Sequence, residues 1–339
     1  MGQKVLITGG AGYIGSTIAS RMLDEGMTPI ILDNLSVGPR VFTEGRIFYE
    51  GDIADKALLT RIFAEHPDIT GCIHCAARII VPESVEMPYE YYRENVAKSV
   101  ELYHNLHELG CDRIIFSSSA SLYDKADDFR VTEDSPLAPE SPYARTKFMM
   151  EMVLRDFCAA YNMRGIALRY FNPIGADPKM RSGLHVRFPS LVIGKLVDTV
   201  NGKQEFFTLT GVDWPTRDGS GIRDYIYVWD LAQAHILAMK NFDQVFERAG
   251  NPADNYLVIN LGTGDGTTVK ELVAAFEKVY GKKVPLKVGP PRPGDVAGAY
   301  TSSERAGQLL GWEASTPLEE GIATALEWGS LRKDRLGYE

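Results

Sequence analysis

Residues 4–15 read KVLITGGAGYIG, a short apolar run that breaks into glycines and leads into the amphipathic stretch YIGSTIASRMLDEG. An apolar run bounded by glycine predicts a buried strand, and the stretch after it a helix, so the glycines stand in a strand-to-helix turn. In such a turn Gly9, Gly12 and Gly15 permit the tight bend, the close approach of a pyrophosphate and the packing of helix on strand. The unpaired N–H groups at the helix start face the anion. Asp33 ends the next apolar run, TPIILD. A carboxylate there accepts hydrogen bonds from an adenosine ribose and repels a 2′-phosphate, which favours NAD over NADP as the cofactor.

The pattern continues outward. RIFYEGDI, GCIHCAA, RIIFSSS and GIALRYF follow as apolar runs separated by amphipathic stretches, which reads as a βαβ series. Runs apolar throughout, without alternation, suit strands covered by helices on both faces, so the expected fold is α/β with a doubly wound parallel sheet of Rossmann type. After Asn172 the texture changes, with Pro and Gly punctuating PIGADPKMRSGLH, GVDWPTRDGSG and VGPPRPGD. Two domains are therefore expected: residues 1–172 for NAD and residues 173–339 mainly as a smaller α/β substrate domain, with late strands free to rejoin the main sheet.

The 339 residues are 45% hydrophobic, 24% charged and 10% aromatic, which places the chain among ordinary globular proteins. A net charge of -9 argues against a nucleic acid as partner, and an anionic substrate must then find a local basic pocket. Four cysteines, Cys72, Cys75, Cys111 and Cys158, are too few and scattered for a disulfide framework. The pair Cys72 and Cys75 has CxxC spacing but lies in the apolar run GCIHCAA, so it reads as buried thiol and no metal is expected. His104 and His107, three apart on a predicted helix, lack a third ligand and read as a solvated face. The opening MGQKVLITGG fits neither a signal peptide nor a membrane span, so a cytoplasmic location without membrane contact is expected.

Of the sixteen tyrosines only Tyr143, in SPYARTK, is followed four residues later by a lysine, Lys147. Residues at i and i+4 share a helix face, so the ammonium lies near the phenol. An ammonium and a positive nicotinamide ring both favour phenolate, which should lower the tyrosine pKa and make Tyr143 a general base. Ser119 ends RIIFSSS at the sheet edge, placed to relay the proton.

With these pieces assembled, the chain resembles the extended short-chain dehydrogenases and, within them, the UDP-glucose (UDP-galactose) 4-epimerase family. The resemblance runs from TGGAGYIGS through GDI, SSSAS, SPYARTK, RYFNPIGA and INLGTG to RPGD, and PTRDGSGIRDYIYV is its most specific stretch. It implies Gly9, Gly12, Tyr13, Ile14, Gly15, Asp33, Asn34, Asp52, Ile53, Ala76, Asn95, Tyr143, Lys147 and Tyr170 as cofactor contacts. It implies Ser119, Tyr143 and Lys147 as the catalytic group. Ser119, Tyr143, Phe171, Asn172, Arg223, Arg292, Asp295 and Ala299 are implied as substrate contacts, with the two arginines suited to a diphosphate. The implied activity interconverts UDP-glucose and UDP-galactose through a transient 4-keto sugar, with NAD held as a prosthetic group, in a homodimer.

The chain also departs from that pattern. Tyr123 is followed by Asp124 where the family often has glycine. Ile79, beside Arg78, stands where several relatives carry a lysine near the cofactor. His185, Val186 and Arg187, in GLHVRFPS, replace a more polar stretch. Ala299 occupies the position whose size separates relatives by sugar range, and alanine leaves room for UDP-GlcNAc and UDP-GalNAc. The competing readings are a UDP-glucuronate 4-epimerase, a nucleotide-sugar 4,6-dehydratase and a non-catalytic NAD-binding regulator. Ser119-Ala120-Ser121 lacks the acidic pair a dehydratase needs, and a regulator need not keep the whole catalytic set.

Overall fold

The computed structural model describes residues 2–251, 254–291 and 297–337. Seven strands form the main sheet: β1 (Lys4–Thr8), β2 (Thr28–Asp33), β3 (Ile47–Glu50), β4 (Ile69–His74), β5 (Arg113–Ser119), β6 (Arg164–Tyr170) and β7 (Tyr256–Leu261). Their spatial order is β7-β6-β5-β4-β1-β2-β3, and every pairing is parallel. The chain winds outward from β1 through β2 to β3, then returns to add β4 on the other flank of β1. Strand order reverses between β1 and β4, and a doubly wound sheet binds its ligands at such a switch, beyond the carboxyl ends of the strands.

The unbroken apolar runs have a direct cause. Side chains alternate between the two faces of a strand, and here each face meets its own layer of helices. Val5, Ile7, Ile31, Ile73 and Ile115 pack on one side with Ile18, Ala19 and Met22 of the helix Tyr13–Asp24. Leu6, Ile30, Leu32, Ile114 and Phe116 pack on the other with Leu102, Leu106, Met150 and Leu154. Those four belong to the helices Lys98–Glu108 and Pro142–Ala160. Cys72 joins this second layer, whereas Cys75 lies just past β4 and is only partly buried. Burial raises both thiols, Cys72 well above its ordinary value and Cys75 to about 11. Among the described residues no group of three or more His, Cys, Asp or Glu could hold a metal ion. His104 pairs with Glu108 and His107 stacks on Tyr161.

The late strand β7 lies in the main sheet, paired with β6 from Tyr256↔Gly165 to Leu261↔Tyr170. A second sheet sets Thr267–Thr268, Ile222–Arg223, Gly298–Thr301 and Arg130–Val131 side by side, so residues from both halves of the chain build it. No helix among the described residues is long and apolar enough to cross a membrane.

Candidate active site

The glycine loop closes over the switch point. Gly9 has φ +70, a region that favours glycine, and a Cβ there would lie 2.6 Å from the Ala76 nitrogen just past β4. A Cβ on Gly15 would lie 2.3 Å from the Gly9 carbonyl oxygen, so glycine lets the first helical turn sit directly on the loop. Gly12 caps the helix Tyr13–Asp24 without any side-chain bond, which leaves its first N–H groups facing outward. Asp33 accepts from the Ala11 and Leu35 nitrogens at 3.0 and 2.8 Å, and burial lifts its pKa. Tyr13 donates to the Gly175 carbonyl at 2.6 Å, and Ile14 packs against the apolar layer on that face.

The helix Pro142–Ala160 starts where Ser141 accepts from the Ala144 nitrogen at 3.1 Å and Pro142 takes the first helical position. Its first turns carry Tyr143 and Lys147, both buried. The Lys147 ammonium donates to the Ser117 carbonyl at 2.8 Å and lies 4.9 Å from the Phe116 ring centre. Burial pushes its pKa down to about 8, against the opposing pull of Cys75 and Glu151. Ser119 hydrogen bonds to Tyr143 and donates to the Ser121 hydroxyl at 2.9 Å; in register it stands beside Tyr170.

From its spacing to Lys147 a lowered Tyr143 pKa is expected, and the protein alone gives the opposite. Burial raises it, and the Ser119 hydrogen bond offsets only part of that rise. The ammonium that was to lower it is itself anchored on a main-chain carbonyl. Phenolate must therefore be favoured by a cation brought to the pocket, and the nicotinamide ring has the required charge.

Around this centre, Asp52 follows β3 and accepts from Lys98 at 2.5 Å and from the Ala54 nitrogen at 3.0 Å. Burial opposes its ionisation, but Lys98 outweighs it and the pKa falls. Ile53 is buried beside it, and the Asn34 side chain hydrogen bonds to Asp52. Asn95 works through the chain after β4: its amide accepts from the Arg78 nitrogen at 2.7 Å and donates to the Arg78 carbonyl and Thr146 hydroxyl, both at 3.0 Å. Arg78 itself pairs with Glu83 at 2.9 Å, and Ile79 beside it is 59% exposed.

On the substrate side, Ile222–Arg223 runs parallel to Gly298–Thr301, with Arg223 opposite Ala299. The Arg223 guanidinium donates to the Ile222 and Ala297 carbonyls, both at 2.7 Å. Phe171 is buried with Tyr123 and Val131, and Ala299 packs on that cluster. The Asn172 nitrogen donates to the Asp224 carbonyl at 2.9 Å. Arg292 and Asp295 lie outside the described residues. In the departing stretch, His185 is buried edge-on to Phe42, the Val186 carbonyl meets Arg332, and the Arg187 guanidinium covers the Phe188 ring. Asp124 donates from its nitrogen to the Pro136 carbonyl, which ties down the loop after Tyr123.

A buried polar chain that sequence reasoning missed links the two sides. Glu151, one helical turn past Lys147, accepts from Ser118 and forms two bonds to Arg169, at 2.9 and 2.6 Å. Arg169 donates to Tyr123 at 3.1 Å, Tyr123 to Asn260 at 2.6 Å, and Asn260 to Thr301 at 2.9 Å. The Thr301 nitrogen donates to Asp224 at 3.2 Å, beside Arg223. Buried Asp224 also accepts twice from Thr263, yet burial dominates and raises its pKa to about 6.

Asp224 makes stability depend on pH. Between the unfolded carboxyl value of roughly 4 and the folded value near 6, only the folded form holds the proton. The stabilisation is complete below that window and lost as pH rises through it. Relative to Asp224→Asn, the wild-type protein should be more stable at about pH 5 than at about pH 7.5 by roughly 1 kcal/mol. Urea unfolding of both proteins at the two pH values measures this, and a pH-independent difference would contradict it.

Comparison with known proteins matches this arrangement. Residues 5–254 fit the model of the NAD dependent epimerase/dehydratase family. A UDP-glucose 4-epimerase of Bacillus subtilis is 40% identical over 338 residues, covering 97% of each chain. The crystal structure of a Stenotrophomonas maltophila UDP-glucose 4-epimerase, with bound NAD and formylated UDP-arabinopyranose, superposes with a TM-score of 0.92 at 32% identity, covering 98% of this chain and 99% of that one. The UDP-Glc/GlcNAc 4-epimerase of Campylobacter jejuni gives a TM-score of 0.81 at 33% identity, covering 97% and 99%.

Proposed function

Because the chain belongs to the NAD dependent epimerase/dehydratase family, we propose that it is an NAD-dependent 4-epimerase interconverting UDP-glucose and UDP-galactose through a transient 4-keto sugar. The observation that carries this reading is the meeting of Ser119, Tyr143 and Lys147 at the carboxyl end of β5, in the sheet whose switch point holds the loop from Gly9 to Gly15. The residues fit the cofactor: Gly9 and Gly15 let the loop pack directly on Ala76 and on the first helical turn, the helix start is uncapped, and Asp33 stands at the end of β2. The chemistry supplied by NAD held there is reversible hydride acceptance at sugar carbon 4.

In this reading Tyr143 takes the proton from the sugar 4-hydroxyl, with the Ser119 hydroxyl beside it as relay. Lys147, fixed by the Ser117 carbonyl, keeps a positive charge in the same buried pocket one helical turn from Tyr143. Arg223, with Arg292, holds the diphosphate as an anchor. The 4-keto sugar turns about its link to that anchor and presents its other face, where carbon 4 would recover the hydride from the bound cofactor while Tyr143 returns the proton to the 4-oxygen. Purified protein given UDP-galactose should yield UDP-glucose without added NAD, and acid treatment should release bound NAD. Absence of UDP-glucose in the presence of bound NAD would overturn the assignment.

The same site supports a wider sugar range. Ala299 packs by Phe171 with only a methyl group, which crowds an N-acetyl substituent less than a larger side chain would. The expected result is turnover of UDP-GlcNAc to UDP-GalNAc by the wild-type protein. Ala299→Tyr should lose that activity by at least about tenfold more than UDP-galactose turnover, since one misfitting group costs on the order of 1–3 kcal/mol. Equal loss on both sugars counts against the assignment.

Phe148, Met149, Met152 and Val153 are partly exposed along the helix Pro142–Ala160, an apolar face suited to a second copy, so the reading includes a homodimer. Light scattering on purified protein tests that. The four free cysteines suit a reducing compartment, which supports a cytoplasmic location.

A further inference from the structure

A cavity of ≈ 160 Å³ is bounded by Leu23, at the end of the helix Tyr13–Asp24, and by Trp328 and Arg335 of the C-terminal helix Leu318–Leu336. Three arginines line it, Arg46, Arg181 and Arg335, against one acidic residue, Glu44. Their bonding differs. Arg181 is saturated by Asp24 and Asp177. Arg46, among the described residues, donates only to the Ser16 carbonyl at 3.0 Å and the Ser20 hydroxyl at 2.6 Å. Both acceptors are neutral, and a guanidinium has five N–H donors. Burial, with the Arg181 charge beside it, pushes the Arg46 pKa down to about 10, and the Asp177 charge offsets only part of that fall. Arg335 is exposed at the rim and has no hydrogen bond or ion pair among the described residues.

The rest of the cavity is apolar. Phe42 and Trp328, 1% and 2% exposed with ring centres 5.7 Å apart, form the packed wall behind it, and Leu23, 41% exposed, with the partly buried Val41 presents the apolar surface. The Trp328 indole nitrogen is committed to the Leu184 carbonyl at 2.9 Å, so the ring offers the cavity only carbon. Guanidinium donors without a carboxylate hydrogen bond, set against an apolar wall, suit a ligand with a negative group at one end and a flat apolar body at the other. None of the lining residues belongs to the glycine loop, the Tyr143 group or the Arg223 strand.

We propose that this cavity is a second binding site, for a small organic anion: a phosphate or carboxylate held by Arg46 and Arg335, carried on a flat apolar body that lies against Leu23 and Val41. The experiment uses phenyl phosphate as probe, titrated calorimetrically into NAD-loaded protein with saturating UDP present to block the diphosphate site. Saturable binding at one site is expected. Inorganic phosphate should bind at least about tenfold more weakly for want of the ring, and benzyl alcohol more weakly still for want of the charge. Arg335→Glu, a change on an exposed side chain, should weaken phenyl phosphate at least about tenfold and leave UDP-galactose turnover unchanged. Absence of saturable binding, binding that UDP displaces, or binding indifferent to Arg335→Glu would each overturn the proposal. Arg46→Gln, which keeps a donor for Ser20, gives a second check; unchanged affinity there would equally refute it.

Discussion

A Tyr143→Phe variant is expected to lose roughly 10²–10⁴-fold of its UDP-galactose turnover while folding normally and keeping its NAD. The range is what a positioned acid or base contributes when it moves a proton in the transition state, and no second group of the right kind stands by to replace it. Ser119 can relay a proton but cannot hold its negative charge, and Lys147 is committed to the Ser117 carbonyl. The fold should tolerate the change because Phe keeps the buried ring and removes only the hydroxyl. Ser119 retains a partner in Ser121 at 2.9 Å, so little is orphaned. Turnover per bound NAD, with NAD content measured on the same sample, separates lost chemistry from lost cofactor. Residual activity within about threefold of the wild type would remove Tyr143 from the base role.

The second large effect is thermodynamic. Glu151→Ala should lower folding stability by about 3–5 kcal/mol, the usual consequence of stripping one partner from a buried ion pair. Both side chains are 5% exposed, and the variant would leave the Arg169 guanidinium buried with only Tyr123 as a neutral partner. Urea unfolding gives the number, and a loss below about 1 kcal/mol would mean that water or a rearranged neighbour had taken the place of the carboxylate. A double replacement, Glu151→Met with Arg169→Met, should recover much of the loss, because it removes both charges together. The single change also bears on Lys147. Glu151 helps to hold that ammonium charged, so removing it should move the Lys147 pKa further below 8. A lysine-dependent inflection in the pH profile of kcat/KM would shift to lower pH.

What the sequence revealed was local. Gly9, Gly12 and Gly15 carry their meaning in a spacing of three, and Tyr143 and Lys147 in a spacing of four, so each could be placed on its turn or helix face before the fold was known. The end of β5 was likewise written in RIIFSSS. The missing parts depend on residues far apart in the chain. Tyr123 meets Asn260 across 137 positions and Arg169 across 46, and no periodicity announces such pairs. Burial is also non-local, which is why the Tyr143 pKa was expected to move the wrong way. Its spacing from Lys147 was visible, whereas the packing that desolvates it was not. Strand ends were legible to within a few residues; GCIHCAA ran past the true end of β4 at His74, because Cys75 and Ala76 are apolar for a different reason, their closeness to the glycine loop.

One turn of helix sets a limit on how this chain can change length. Residues Tyr92–Ala97 form a π-helical turn, wider than its α-helical neighbours, and Asn95 lies within it. Such a turn behaves as a one-residue insertion in an α-helix. Deleting any one residue from this segment would restore ordinary winding with the flanking turns nearly in place, so the rotation falls on the residues inside the turn. Asn95 would then face away from Arg78 and Thr146, and the chain after β4 would lose the side chain that pins it. Point substitutions along the exposed side of this segment should therefore be far better tolerated than a single-codon deletion, and homologous lengths here should be conserved to the residue.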